Sequence, residues 1–353
     1  METTKKQLTN LNKFRTCGRV EDQHVYIAGG YFTAFSLGGK KFGGSVYYRL
    51  AHRSENVSGP AAVPVADFVK IAKKQTIEAI GSTGKQRAKI TTSSGEFELG
   101  GGDLELIKQA PDILDFTGLS IEAETLKSLK KYCSTDDLRP AMQGVFIDAE
   151  DQKMVATNGH RLKWQEIDAP GIDSLIIPAD IIALLSESSY KLHNCAQWTG
   201  PRTGKMFALV GDTETVFFNE INEKYPNWQS VVPRESDTEQ TFTLNIKEAL
   251  KACQAAQVVA NSESGIIRLV PSGEAVILRA EDIDTSQEYK SKPIGSFEAV
   301  EPFEVGYNIE YLEATLKDQK SAETLELKIT GKNRAARFNG TGLLMPVMLN
   351  TYA

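Results

Sequence analysis

Val63-Pro64-Val65-Ala66-Asp67-Phe68-Val69-Lys70-Ile71 reads as a strand end, a proline and the first turns of an amphipathic helix. The same reading returns at Ile177-Pro178-Ala179-Asp180-Ile181-Ile182-Ala183-Leu184-Leu185. Proline loses nothing at the first helical position, where its missing N–H would find no intrahelical partner, and the apolar spacing after it is helical. A third copy, with Asn in place of Pro, is Val305-Gly306-Tyr307-Asn308-Ile309-Glu310-Tyr311-Leu312. The two proline copies stand about 115 residues apart, a spacing that fits one domain.

A second element precedes each copy. Leu119-Ser120-Ile121-Glu122-Ala123-Glu124-Thr125-Leu126-Lys127 and Phe242-Thr243-Leu244-Asn245-Ile246-Lys247-Glu248-Ala249-Leu250-Lys251 both run from an alternating strand into a helix, and Leu8 to Phe14 is a weaker first copy. Pro111 and Pro226 fall at matching points after strand-like segments. The text between is rich in β-branched and aromatic residues punctuated by turn residues, as in Met206 to Val210, Gly211-Asp212, Thr215 to Phe218, and in Ile266 to Val270, Pro271-Ser272-Gly273, Ala275 to Arg279. Those patterns predict hairpins. The expected fold is therefore α+β, three similar units at 1–116, 117–235 and 236–353, each with two helices on a mostly antiparallel sheet. The joins fall near Asp115-Phe116-Thr117-Gly118 and Pro233-Arg234-Glu235-Ser236-Asp237.

Composition narrows the function. The chain has 353 residues, 41% hydrophobic and 24% charged, and 40 Lys+Arg against 46 Asp+Glu leave a net charge of −6. A mildly acidic protein does not cling to polyanions by bulk charge, so any contact with nucleic acid needs basic residues gathered on one surface. Met1-Glu2-Thr3-Thr4-Lys5-Lys6-Gln7 lacks an apolar signal-peptide core, and the most apolar stretch, Leu175 to Leu185, is broken by Pro178 and Asp180. A cytoplasmic protein with no membrane span is expected. Cys17, Cys133, Cys195 and Cys253 form no C-x-x-C pair, and the four histidines are dispersed, which predicts reduced thiols and no metal.

Val155-Ala156-Thr157-Asn158-Gly159-His160-Arg161-Leu162 is the most distinctive string. Asn158-Gly159 between strand-like flanks predicts a hairpin whose two central residues take positive φ. A second reading makes His160 a general base, although no nucleophile elbow or second histidine stands at a recognisable spacing. A third treats the loop and Leu162 as a docking surface. Gly39-Lys40 and Gly84-Lys85 lack the remaining residues of a phosphate-binding loop and read as turns. Asp137 and Glu281-Asp282 carry no assignable acid–base role. Lysines recur with more order: Lys70, Lys73 and Lys74, then Lys127, Lys130 and Lys131, then Lys247 and Lys251, each set at i, i+3 or i+4 on one helix face. Helices that share such faces would contact phosphates without reading bases.

Three α+β units, lysine-bearing helices and the Thr157 to Leu162 string together resemble the bacterial β sliding clamp, the processivity factor of the replicative DNA polymerase. The likeness rests on Arg139-Pro140-Ala141-Met142-Gln143-Gly144-Val145, Ala156 to Leu162, Ile176-Ile177-Pro178, Tyr225-Pro226-Asn227-Trp228-Gln229-Ser230-Val231-Val232-Pro233 and Leu343-Leu344-Met345-Pro346-Val347-Met348-Leu349. Before Val63 it holds only in outline. The resemblance implies a head-to-tail homodimeric ring around duplex DNA, sequence-independent, with no cofactor and no catalytic activity. It implies binding of the replicative polymerase and clamp loader through a pocket of Met142, Thr157, Gly159, His160, Arg161, Leu162, Pro226, Val231, Leu344, Met345 and Pro346. It also implies a dimer interface at Val258 and Val259, with those eight lysines facing DNA. Asn158, Trp228 and Ser230 depart from the residues usual in the family, and Asn350-Thr351-Tyr352-Ala353 extend past its common end, where they would shade the pocket. Such divergence suits a phage or mobile-element member.

Two other functions compete: a clamp-like protein that binds polymerase peptides without encircling DNA, and an enzyme using His160. If the lysines are phosphate contacts, neutralising Lys127, Lys130 and Lys131 weakens DNA retention equally on any sequence and flattens its dependence on salt. Retention assays on unrelated duplexes check this, and a sequence-selective loss would contradict it.

Overall fold

The computed structural model describes residues 4–16, 23–28, 30–37, 45–51, 57–82, 87–102, 104, 111–196, 204–260, 264–282 and 286–349. Cys17, the Gly39-Lys40 and Gly84-Lys85 turns and residues 350–353 lie outside them. The chain forms two compact units, one of residues 1–154 with 166–225 and one of residues 155–165 with 226–353. Both are α+β with mostly antiparallel sheet. Among the described residues no helix is long and apolar enough to cross a membrane.

The first unit is built on an eight-stranded antiparallel sheet in the order Ala61–Pro64, His24–Ala28, Tyr31–Leu37, Ser45–Ala51, Glu214–Asn219, Met206–Val210, Ser189–Cys195, Ile113–Glu122. Its middle joins chain segments far apart in sequence, since Ser45–Ala51 pairs with Glu214–Asn219 through Val46↔Phe218 to Leu50↔Glu214. Aromatic rings cement that seam. Phe35 lies 5.8 Å from Tyr47, whose ring meets Phe217 edge-on at 6.3 Å, in a buried cluster with Tyr26, Met206 and Cys195. A smaller sheet, Val57–Ser58, Ile77–Ser82, Arg87–Thr92 and Gly95–Gly100, ends on the Gly95–Gly100 strand. The expected join at Asp115 to Gly118 lies within the Ile113–Glu122 strand, which carries register shifts against its neighbour and a φ of +91° at Gly118.

Five of the repeated sequence elements are strands that run straight into a helix. Ala61–Pro64 leads into α2 (Val65–Lys74), Leu175–Pro178 into α4 (Ala179–Ile182) and Val305–Asn308 into α6 (Ile309–Asp318). Ile113–Glu122 leads into α3 (Ala123–Lys130), and Gln240–Asn245 into α5 (Ile246–Ala256). Asn308, which replaces Pro, and Asn245, at the start of α5, both cap by side chain: the amides of Glu310 and Glu248 donate to Asn308 and Asn245 Oδ1 at 2.9 and 3.0 Å. The weak first copy is a true helix, α1 (Lys5–Asn12), started by a capping box between Thr4 and Gln7.

Helix α4 is a single turn, shorter than the apolar spacing through Leu185 predicts. One face of α1, continued by Lys13 at its C-cap, takes over the carbonyls that follow α4. Lys6 Nζ donates to Leu185 O at 2.6 Å, Lys13 Nζ to Ala183 O at 2.9 Å, and Asn10 to Leu184 O. Exposed helix ends need such partners, and cations suit the negative C-terminal end. Beside this joint sits Glu214, 1% exposed. Tyr48 Oη and the Ser186 amide donate to it at 2.6 Å each, and the Ser186 and Tyr190 hydroxyls donate as well. Burial and the Glu214 charge push both tyrosine hydroxyls well above their ordinary pKa.

The second unit carries a sheet in the order Arg161–Glu166, Gly342–Leu344, Ala336–Phe338, Thr324–Ile329, Gln240–Asn245, Gly295–Ala299, Ala275–Asp282, Ile266–Ser272, Val305–Asn308, with Gln287–Lys290 beside Ala275–Asp282. Both predicted hairpins form: Met206–Val210 pairs with Glu214–Asn219, and Ile266–Ser272 with Ala275–Asp282. Helices α5 and α6 pack together, with Ala249, Ala252, Cys253 and Ala256 of α5 and Leu312, Thr315 and Leu316 of α6 buried.

Glu214→Ala removes the acceptor of four donors, two of them the hydroxyls of the buried Tyr48 and Tyr190, so it is expected to cost about 3 kcal/mol of unfolding free energy, and Glu214→Gln clearly less. Urea denaturation measures both, and a loss below about 1 kcal/mol for the alanine variant would refute the account.

Candidate functional site

The distinctive string forms a turn between Thr157 and Arg161. Only Gly159 takes positive φ there, at +86°. The expectation of positive φ at both central positions is therefore corrected. Asn158 acts through its side chain, Oδ1 accepting from the amides of His160 at 3.0 Å and Arg161 at 2.8 Å, an Asx-type turn. Thr157 Oγ1 accepts from the Gly159 amide at 3.0 Å and donates to Arg161 O at 2.9 Å. Every residue from 157 to 161 is thus held by local hydrogen bonds.

Beyond the turn, Arg161 and Leu162 pair with Leu344 and Leu343, and the Met345 amide donates to His160 O at 2.8 Å. Leu162 is buried, whereas Met345 and Pro346 are half-buried. Two residues along the same strand, Trp164 packs against Trp228 with ring centroids 5.7 Å apart. Pro226 precedes Trp228, and Val231, 41% exposed, closes the 3-10 turn Gln229–Val231. The terminal stretch then crosses to the strand before α6, the Val347 amide donating to Gly306 O at 2.8 Å. A Cβ at Gly306 would strike Val347 O and Leu349, so this approach requires glycine.

The second unit thereby holds Thr157, Gly159, His160, Arg161, Leu162, Pro226, Val231, Leu344, Met345 and Pro346. Met142 belongs to the first unit, in the 3-10 turn Pro140–Gln143, where its carbonyl accepts from the Ser134 amide at 2.8 Å. The structure adds neighbours that sequence reading missed. Helix α6 presents Tyr311, whose ring stacks on His160 at 4.4 Å and 15°, and Asp318, whose Oδ2 lies 3.4 Å from Arg161 Nη1. The stack occupies a face of the imidazole. Strand pairing thus brings the buried Leu162 near the half-buried Met345 and Pro346 beside the turn, apolar side chains of the kind that hold an aliphatic or aromatic anchor of an extended peptide.

Of the lysines, Lys70, Lys73 and Lys74 are exposed on the last turns of α2, where positive charge favours the helix end. Lys70 and Lys74 also border a cleft of about 280 Å³ lined by Asp67, Ile71, Gln75, Phe97 and Leu99. Phe97 and Leu99 alternate with Glu96 and Glu98 on the Gly95–Gly100 strand, a period-two signal that the sequence offered. Lys127 and Lys130 are half-buried on α3, and Lys131 follows them exposed. Lys127 lies beside Lys6 of α1, whose ammonium is held below its ordinary pKa by burial and then by that like charge. Lys247 and Lys251 are exposed on α5, and Lys251 meets Glu248 at 2.9 Å. After α5, Val258 is 82% exposed and Val259 half-buried.

No protein-family model and no curated protein sequence matches the chain. Among solved structures it is similar to a DNA polymerase sliding clamp from Pseudomonas aeruginosa, with a TM-score of 0.77 and 16% identity over 98% of this chain and 97% of that one. It is similar to the DNA polymerase III beta subunit of Thermotoga maritima, with a TM-score of 0.76 and 14% identity over 98% and 97%. The DNA polymerase III beta chain of Streptococcus pneumoniae gives a TM-score of 0.76 and 15% identity over 97% of each. At these identities the likeness concerns the fold, and it spans nearly the full length of every partner. This chain has the fold of the bacterial DNA polymerase sliding clamps.

Proposed function

We propose that the chain is a DNA sliding clamp, a non-enzymatic ring of two copies that encircles duplex DNA in the cytoplasm and tethers the replicative polymerase. One observation carries the reading: an end-to-end match to clamp structures at a TM-score of 0.77, in a chain whose residues at 157–162 and 343–346 are brought together by strand pairing. In this reading the three repeats are 1–116, 117–235 and 236–353. The pocket takes an extended peptide from the polymerase or the clamp loader. His160 acts as a wall of that pocket and not as a base.

Lys70, Lys73, Lys74, Lys127, Lys130, Lys131, Lys247 and Lys251 face the DNA, joined by Lys6 beside Lys127, and the cleft that Lys70 and Lys74 border leads from the basic side of α2 to the dimer interface. The apolar side of that interface is Phe97 and Leu99 in one copy and Val258 and Val259 in the other. Head-to-tail contacts close into a ring when the rotation between copies permits. Two features support this contact: Gly95–Gly100 ends its sheet, and Val258 stands 82% exposed, arrangements that burial against a second copy relieves.

Val258→Asp combined with Val259→Asp, or Phe97→Asp alone, buries charge without a partner in such an interface and should yield monomers by light scattering. Unchanged dimers would sink the interface assignment. Leu162→Ala or Met345→Ala is expected to weaken a polymerase-derived peptide by about 1–3 kcal/mol while leaving DNA retention intact. Calorimetric titration reads the first and a retention assay the second. Equal peptide affinity in wild type and Leu162→Ala would overturn the pocket, and turnover lost with His160→Ala would reinstate an enzyme.

A further inference from the structure

Resting on the pocket reading, we infer that Asp318 is a positioning residue: from the end of α6 it holds Arg161, and through it the 157–162 turn, in the arrangement that receives the peptide. The two side chains are 7% and 13% exposed, with Nη1 and Oδ2 3.4 Å apart. Asp318 is the last residue of α6. A carboxylate there faces the negative end of the helix dipole, an unfavourable placement that a neighbouring cation offsets. Arg161 supplies that cation, and its backbone lies in the strand that pairs with Leu344.

Such a buried pair adds little net stability compared with an apolar pair, but it tolerates few alternative geometries. The His160 ring on Tyr311 makes a second attachment to the same helix. Tyr311 and Asp318 stand about two turns apart on one face of α6. Two consecutive residues of the turn are therefore fixed to one rigid element at two points, which opposes both rocking and sliding of Leu162. Asp318 touches no peptide in this account and acts through Arg161.

Asp318→Asn keeps the shape and removes the charge. In the protein alone, amide hydrogen exchange at Gly159 to Leu162 should speed up on the order of tenfold, with exchange in α5 unchanged as a control for folding. A short fluorescein-labelled peptide carrying a leucine–phenylalanine pair should bind on the order of tenfold more weakly, and Asp318→Glu should restore most of the affinity. In an Arg161→Met background, Asp318→Asn should weaken the peptide no further, because the residue through which it acts is gone.

Unchanged exchange at 159–162, unchanged affinity, or a full additional loss in the Arg161→Met background each overturns the positioning role. A wild-type protein that binds no such peptide refutes the pocket reading instead, and the exchange measurement then decides separately whether Asp318 orders the turn.

Discussion

Strand pairing between distant parts of the chain is the interaction on which everything else rests. A sheet edge presents unpaired amides and carbonyls, and a protein must cover it, pair it or charge it. In the first unit Ser45–Ala51 meets Glu214–Asn219, and in the second Arg161–Glu166 meets Gly342–Leu344. The first pairing buries the Tyr47 and Phe217 rings in one core, so segments some 170 residues apart belong to one unit. The second brings Leu162 beside the terminal stretch and so creates the candidate pocket. The Gly95–Gly100 strand ends its sheet with acidic residues alternating with Phe97 and Leu99. In the proposed ring a second copy covers it.

Polar groups then fix what the sheets bring together. Lys6, Asn10 and Lys13 satisfy the carbonyls after α4, and Glu214 gathers four donors next to them. In the second unit Asn158 and Thr157 order the turn, and α6 holds it from outside through Tyr311 and Asp318. Several polar bonds converging on one segment leave it few alternative arrangements. A pocket for a partner peptide benefits from the same property, because a pre-ordered wall spares the entropy of ordering on binding.

Much of the fold was legible in the sequence because its signals are local. Pro64, Pro178 and Asn308 mark strand-to-helix junctions by their own backbone chemistry, and apolar alternation marks the strands that precede them. The turn at Asn158-Gly159 was legible in place but not in mechanism, since the Asn158 side chain does the work that the dipeptide rule gives to its backbone. The short α4 was not legible, because the groups that take over beyond it, on α1, lie about 170 residues away. Tyr311, Asp318 and Trp164 were missed for the same reason: their neighbours are set by strand pairing and helix packing rather than by spacing, whereas Phe97 and Leu99 did carry a period-two signal. The lysine stripes were readable as helix faces, while the apolar cleft beside Lys70 and Lys74 needed the strand that carries Phe97.

The central claim is that two copies of this chain close into a ring with basic helices toward a central hole. Electron microscopy of the purified protein tests it most directly. The account predicts closed two-chain rings, joined head to tail at the Gly95–Gly100 edge and the Val258 region, around a hole wide enough for duplex DNA. Single chains at micromolar concentration, or pairs without a central hole, would contradict it.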